Sequence, residues 1–271
     1  MNIRFISFLV VTLFSSSLFA APRRVVSLLP SHSEIVVALG AEDMLVGVSD
    51  VERAGDFASV PRVGGLVPRW EVLVSLTPDV ILADSAHERF GPDFNRFNLP
   101  VKFFPATHAK TIEDVFVLIN DIGRILEREP EAKVLMTRLQ KQVAELDGAV
   151  PAGPRPRAFF EIWSQPLQGV APGSLQGSLM ARAGFENIVP ETRNEMPLLS
   201  SEWVAGARPD VIFHTGLTSA DHIAGRSGWK RIPAVQNQRI ILLNADLFSR
   251  AGPRVVEALA ELHRILLEVK Q

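Results

Sequence analysis

Two carboxylates at matched positions are the first candidates for chemistry. Glu71 opens EVLVSLTPDVI, residues 71–81, and Glu202 opens EWVAGARPDVI, residues 202–212. In both, six residues separate the Glu from Pro-Asp-Val-Ile, although the residues between have diverged. A carboxylate in the first turn of a helix already offsets the macrodipole, by about 0.3–1 kcal/mol, and needs no other purpose. The Pro ends a helix, and Asp-Val-Ile enters a strand. What symmetry alone leaves unexplained is that the Glu recurs while most of the intervening helix does not.

A second set of candidates falls where apolar strands end, the usual place for ligands on open parallel sheets. It comprises Pro30, Ser31 and His32, then Asp50, Asp84 to His87, Trp163 to Gln165, His214 to Gly216, and Asp246 to Arg250. His32, His87, His214 and Asp246 together have the donor types that suit zinc or manganese, although no His-x-x-x-His spacing ties any pair together. Trp163 with Gln165 reads as an aromatic and polar lip, and Arg250 faces an anionic or amide-rich ligand or caps a helix. No nucleophile elbow, Walker loop, dinucleotide fingerprint or His-Glu-x-x-His motif occurs, so a secreted enzyme is the weaker reading.

The elements that position these residues alternate. RRVVSLLP, LVGVS (45–49), DVILAD (79–84) and PVKFF (100–104) read as short buried strands, with helices over 31–39 and RWEVLVSL between them. Ser31 or Ser33 is the expected cap of the first helix. Residues 111–128 are apolar at helical spacing, and Pro130 opens a second helix over 130–147. Pro151, Gly153, Pro154 and Pro156 mark the boundary after it. The alternation then restarts with RAFFEIW (157–163), followed by helix, helix, DVIFHTG, RIILLNAD and a closing amphipathic helix from Pro253. LGAEDMLV (39–46) and AGFENIVP (183–190) add a second echo in the same order. The expected organisation is an α/β protein with an N-terminal lobe over 21–110, a helical connection over 111–150 and a C-terminal lobe over 151–271.

The chain has 271 residues, 47% hydrophobic and 21% charged, with a formal net charge of -2 and no cysteine. That excludes disulfides, thiol nucleophiles and Cys-ligated metal, and the near-neutral balance gives no footprint for nucleic acid. One Arg, an apolar run from Phe5 to Phe14 and small residues up to Ala20 form a secretory signal over residues 1–20. The apolar run is too short to cross about 30 Å of hydrocarbon. Without a cysteine there is no lipid anchor, so the expected place is the periplasm.

VVSLLPSHSEIVVALGAEDMLVGVSD, WEVLVSLTPDVILAD, GSLMARAGFENIVPE, SSEWVAGARPDVIF and SRAGPRVVEAL are similar, in this order, to periplasmic binding proteins for cobalamin and ferric siderophores. The resemblance implies two α/β lobes with parallel sheets joined by a single long rigid helix, with little closure on binding. It further implies a monomer that hands a metal chelate to the membrane permease of an ABC importer, with Glu71 and Glu202 docking onto permease arginines. The protein itself then needs no cofactor, because the cobalt or iron belongs to the ligand. Pro30, Phe248 and Arg250 match binding loops of the cobalamin members, whereas Val51, Gly65, Met196 and Leu247 stand where a known cobalamin binder packs aromatics on the corrin. VGGLVPRWE resembles the siderophore members, and the chain has no Tyr for a tyrosine-ligated haem. A corrinoid is the favoured ligand and a ferric siderophore the alternative; a bare zinc or manganese site is the third reading.

Overall fold

The computed structural model describes residues 24–53 and 55–271. The expected export signal and its cleavage after Ala20 lie outside the described residues. The first lobe contains β1 (Val25–Ser27), α1 (Pro30–Ala38), β2 (Leu45–Gly47), α2 (Trp70–Leu76), β3 (Val80–Asp84), α3 (Gly91–Arg96) and β4 (Val101–Phe104). Its strands form an all-parallel sheet in the order β2-β1-β3-β4. All five residues of β3 are buried, as a strand covered on both faces requires.

Residues 111–150 form two helices, α4 (Ile112–Ile125) and α5 (Glu129–Gly148), as the periodicity and Pro130 predict, and α5 is the long helix that leads into the second lobe. A capping box between Thr111 and Asp114 starts α4. Glu127, at φ 55°, turns the chain, and Pro130 cannot continue the preceding helix. The helices cross closely at Gly123, where a Cβ would come within 2.7 Å of the Ala132 side chain. With 20 residues, α5 is about 30 Å long.

The second lobe contains β5 (Arg157–Ser164), β6 (Leu167–Gly169), α6 (Leu175–Ala183), β7 (Glu186–Asn187), α7 (Ser201–Ala207), β8 (Val211–His214), α8 (Ala220–Ala224), α9 (Pro233–Gln236), β9 (Ile240–Leu242), α10 (Ala245–Phe248) and α11 (Val255–Val269). Here β7, β5, β8 and β9 repeat the parallel order of the first sheet, and β6 adds an antiparallel hairpin to the end of β5. The strand expected over RIILLNAD stops at Leu242, because the Asn244 side chain accepts the Asp246 N–H and caps α10.

The echoed segments are equivalent in three dimensions. Both α2 and α7 have seven residues and end on a left-handed residue, Thr77 at φ 42° and Arg208 at φ 51°. The Asp of each Pro-Asp-Val-Ile then accepts the backbone N–H of the Arg that begins the neighbouring strand. Arg24 donates to Asp79 at 3.0 Å and Arg157 to Asp210 at 2.8 Å. Each Arg side chain reaches back to a carbonyl at the end of its helix, Leu76 or Ala207. This clasp ties the helix end to two strand starts and accounts for the repeated Asp without invoking ligand.

One hydrophobic core runs through both lobes. It includes Val36 and Phe104, passes through Ile119 of α4 and Leu135 of α5, and continues to Leu259 of α11, Phe160 and Phe213. Smaller clusters cover the outer faces, around Leu73 and Phe94 in the first lobe and around Val204 and Trp229 in the second. Replacing Asp210 with Ala is expected to cost about 1–2 kcal/mol and to speed amide exchange at Arg157, with exchange at Arg24 unchanged. Hydrogen exchange measured residue by residue checks it.

Candidate functional site

Where the strands end, the lobes face each other across a cavity of about 270 Å³. Leu29, Pro30 and Ser31 follow β1, Val51 follows β2, and Ala106 and Thr107 follow β4. The opposite wall is Asp246, Ser249, Arg250 and Ala251 around α10. Pro30 takes the first position of α1 after Leu29, and no side chain caps that helix, contrary to the cap expected from Ser31 or Ser33. Proline presets the helical φ, so the helix begins before either serine. Ser33 instead bonds to Ser27 Oγ at 2.9 Å beneath the cavity floor.

An alternating chain of charges crosses from lobe to lobe at this floor. Arg250 donates to Glu34 of α1 at 2.8 Å and pairs with Asp246 at 3.0 Å. Asp246 also accepts from Arg53, and Glu34 lies 3.5 Å from Arg254. The Arg250 side chain is only 10% exposed. It is therefore paired from within by two carboxylates, each of which also meets a second arginine. Beside it, Glu52 is pushed above the ordinary carboxylate range by burial, against the pull of the Ser33 hydroxyl and of Arg250. A larger cavity, of about 680 Å³, shares Arg250 as a wall, is bounded by α1, α5 and α11, and is lined by nine charged side chains. The smaller one lies at the strand ends, and there the sheets present their loops.

The other residues singled out from sequence fall into three groups. Trp163 and Gln165 are exposed at the end of β5, with the indole N–H donating to the Gln165 carbonyl at 2.9 Å. Met196 is 37% exposed, and Leu198 beside it 63%. Val51 and Leu66 are both 64% exposed on the first lobe.

A second group holds loops. Asp50 accepts the Gly64 N–H at 3.1 Å and pairs with Arg69 at 2.8 Å, so it staples the loop between β2 and α2. The Gly65 carbonyl lies 3.0 Å from His87 Nε2, while a Cβ on Gly65 would meet Ser49 and Val51 at ordinary contact distance. At Gly64, φ is +96° and a Cβ would lie 2.4 Å from the Val67 carbonyl, so this position requires glycine.

Members of the third group do not reach the cavity. His32 is completely buried against Phe104, and Phe248 is buried against Phe160, with ring centroids 5.9 Å apart. Both expected contacts are corrected for the same reason: each side chain turns into its own lobe's core. Leu247 packs half-buried on that core. The bare-metal reading is corrected as well. His32 and His87 are buried in the first lobe and His214 in the second, while Asp246 is held by two arginines. His87 also spends Nδ1 on the Asp84 N–H. Among the described residues no group of three His, Cys, Asp or Glu could hold a metal ion. Sequence reasoning missed Arg53, Glu34 and Thr107, because nothing in local spacing shows that Glu34 and Arg250, 216 residues apart, meet.

Glu71 and Glu202 lie away from the cavity, exposed in the first turns of α2 and α7. Among the described residues neither has an ion-pair partner. Both helices begin at the strand-end side of their sheets. Leu199, just before α7, bonds to Leu167 of β6, and Gly64, close before α2, pairs with Pro68 beside the His87 contact. The two carboxylates thus stand on the side where the cleft opens.

The sequence matches the family described as periplasmic binding protein over residues 25–247. It is 28% identical to a vitamin B12-binding protein of Pectobacterium atrosepticum, over 100% of this chain and 98% of that protein. The fold is similar to that of the periplasmic vitamin B12 binding protein BtuF of Vibrio cholerae, with a TM-score of 0.80 at 23% identity, covering 93% of this chain and 99% of that one. It is equally similar to the periplasmic heme binding protein HutB of the same organism, with a TM-score of 0.80 at 20% identity and coverage of 90% and 98%.

Burial holds the His32 imidazole well below its ordinary pKa of 6.5, at about 4, against the attraction of the Asp84 carboxylate. The unfolded chain therefore binds a proton on His32 between these values and the folded chain does not. Stability contributed by neutral His32 is complete above pH 6.5 and is lost as the pH falls toward 4, to a total of about 3 kcal/mol. Urea denaturation of the protein and of His32→Asn between pH 7 and 4 is expected to show a flatter acid limb in the variant.

Proposed function

Because the chain belongs to the periplasmic binding protein family, whose members are non-enzymatic transport components that bind small molecules and pair with membrane permeases, we propose that it captures a corrinoid such as cobalamin and delivers it to an ABC importer. The observation that carries this reading is the cleft floor, where the Arg250 guanidinium is already paired with Glu34 and Asp246. A site built for an anionic ferric siderophore would leave cationic groups free for it. What the cleft offers instead is hydroxyls at Ser31 and Ser249, with exposed apolar residues at Val51, Leu66, Trp163, Met196 and Leu198 on the lobes. That combination suits a large ligand with an apolar macrocycle and neutral amide arms. The cobalt of such a ligand is cargo, held by the corrin. A ferric siderophore is the second reading, supported by the loop around Gly64 and Gly65. The chain has no Tyr to ligate a haem iron.

The protein acts in the periplasm as a monomer, after removal of residues 1–20. Glu71 and Glu202 receive arginines of the permease. Charge-assisted, bidentate pairing with a guanidinium fixes orientation as well as supplying energy, and exposed carboxylates without internal partners suit it.

Isothermal titration with cyanocobalamin, cobinamide, hemin and a ferric hydroxamate is expected to give saturable binding for the two corrinoids only. Thermal unfolding at a cyanocobalamin concentration 100 times Kd should show about 2.7 kcal/mol of added stability. Binding of the hydroxamate alone would assign the protein to the second reading. The double variant Glu71→Ala, Glu202→Ala is expected to keep corrinoid affinity while permease-dependent uptake falls at least tenfold; loss of ligand affinity would place these glutamates in the cleft.

A further inference from the structure

The two lobe tips are built on the same helix but present different surfaces. Aligned at Glu71 and Glu202, Leu73 corresponds to Val204, both completely buried. Val72 corresponds to Trp203, and Ser75 to Gly206. Val72 is partly buried on the core of the first lobe, whereas Trp203 is 39% exposed. Among the described residues the Trp203 ring has no aromatic or cationic partner and its indole N–H no acceptor. The other tryptophan at a lobe tip, Trp70, differs: it packs against Phe90, Phe94 and Phe97, at centroid distances of 5.9, 5.0 and 5.7 Å. Gly206 follows Glu202 by four residues and Trp203 by three, so all three border one strip of the helix surface. A Cβ on Gly206 would meet nothing within 4 Å. The strip is therefore a carboxylate and an aromatic face on either side of bare backbone.

We infer that Trp203 and Gly206 complete, with Glu202, a binding face for a guanidinium of the partner permease, so that the second lobe makes the stronger of the two docking contacts. The inference rests on the docking role proposed for the two glutamates. A guanidinium that pairs edge-on with Glu202 lies over the Gly206 backbone with its flat face free for Trp203. Arginine suits both demands at once, because it is planar, always charged and weakly hydrated. The first lobe supplies the carboxylate without an exposed aromatic at the matching position. The occupant is thus an arginine-bearing loop of the permease.

The test is docking onto the ABC permease with which this protein supports ligand uptake, reconstituted in lipid nanodiscs and followed by biolayer interferometry. Trp203→Ala is expected to weaken docking about tenfold and Trp203→Phe less, with ligand affinity unchanged. Gly206→Lys fills open space on an exposed helix, so it should fold normally, and it places a like charge where the guanidinium would lie; docking should fall at least as far. Glu202→Ala is expected to cost more than Glu71→Ala. If both glutamate variants weaken docking while Trp203→Ala and Gly206→Lys dock like the parent, the inference is overturned and the docking role of the glutamates stands. If neither glutamate variant weakens docking, the role itself fails. Equal loss of binding by Trp203→Ala to nanodiscs without permease would show a lipid contact and overturn the inference.

Discussion

The apolar core that passes without a break from one sheet to the other is the constraint on which the remaining features depend. Here α4 and α5 pack on each other, and α11 closes on α5 and α6, so buried side chains from all of them form one cluster with both sheets. Interiors packed in this way are hard to deform, and moving one lobe would open cavities throughout the core. The shared core thus resists a change in the width of the cleft between the lobes.

Within that gap, the charge chain from Arg53 through Asp246, Arg250 and Glu34 to Arg254 joins the lobes, with both carboxylates shared between arginines. Its members differ in worth. Arg53 and Asp246 are each about a third exposed, so water and salt screen their pairing. Arg250 is largely buried and would be costly to strand, which makes its two carboxylate partners a condition of placing arginine there at all. The same groups that brace the lobes thereby set the cleft's electrostatic character. Glu161 and Arg226 repeat the arrangement inside the second lobe, where the guanidinium is bidentate and also lies 4.6 Å from the Trp229 ring centroid.

The two lobes keep in common what the fold demands and differ on their exposed surfaces. The Arg–Asp clasp, the left-handed helix ends and the parallel strand order recur because each satisfies backbone groups that any copy of the unit must satisfy. Among the described residues the β5–β6 hairpin, which carries Trp163, occurs only in the second lobe, and the exposed Trp203 has Val72 as its counterpart. Each helix that carries a tip glutamate begins at the strand-end side of its sheet. One edge of the molecule therefore carries both the ligand opening and the paired carboxylates.

Most of the architecture was legible in the sequence. Short apolar runs, Pro-Asp punctuation and 3.6-residue periodicity are local signals, and burial of each element on a sheet or in the core makes them reliable. The echo of EVLVSLTPDVI in EWVAGARPDVI fixed the equivalence of the lobes, and with it the matched, exposed glutamates. Fine placement was less legible. His32 and Phe248 sit in segments that adjoin the cleft, yet their side chains point into the core, because one residue's step along a helix turns the chain by 100°. Asp50 proved to be a loop staple, since its partners Gly64 and Arg69 are brought to it by a turn that only Gly64 permits. The sequence by itself determined which elements form and that they form twice. Only the tertiary structure decided that Arg250 meets Glu34 and Asp246, because ion pairs depend on distance in space and leave no mark on spacing along the chain.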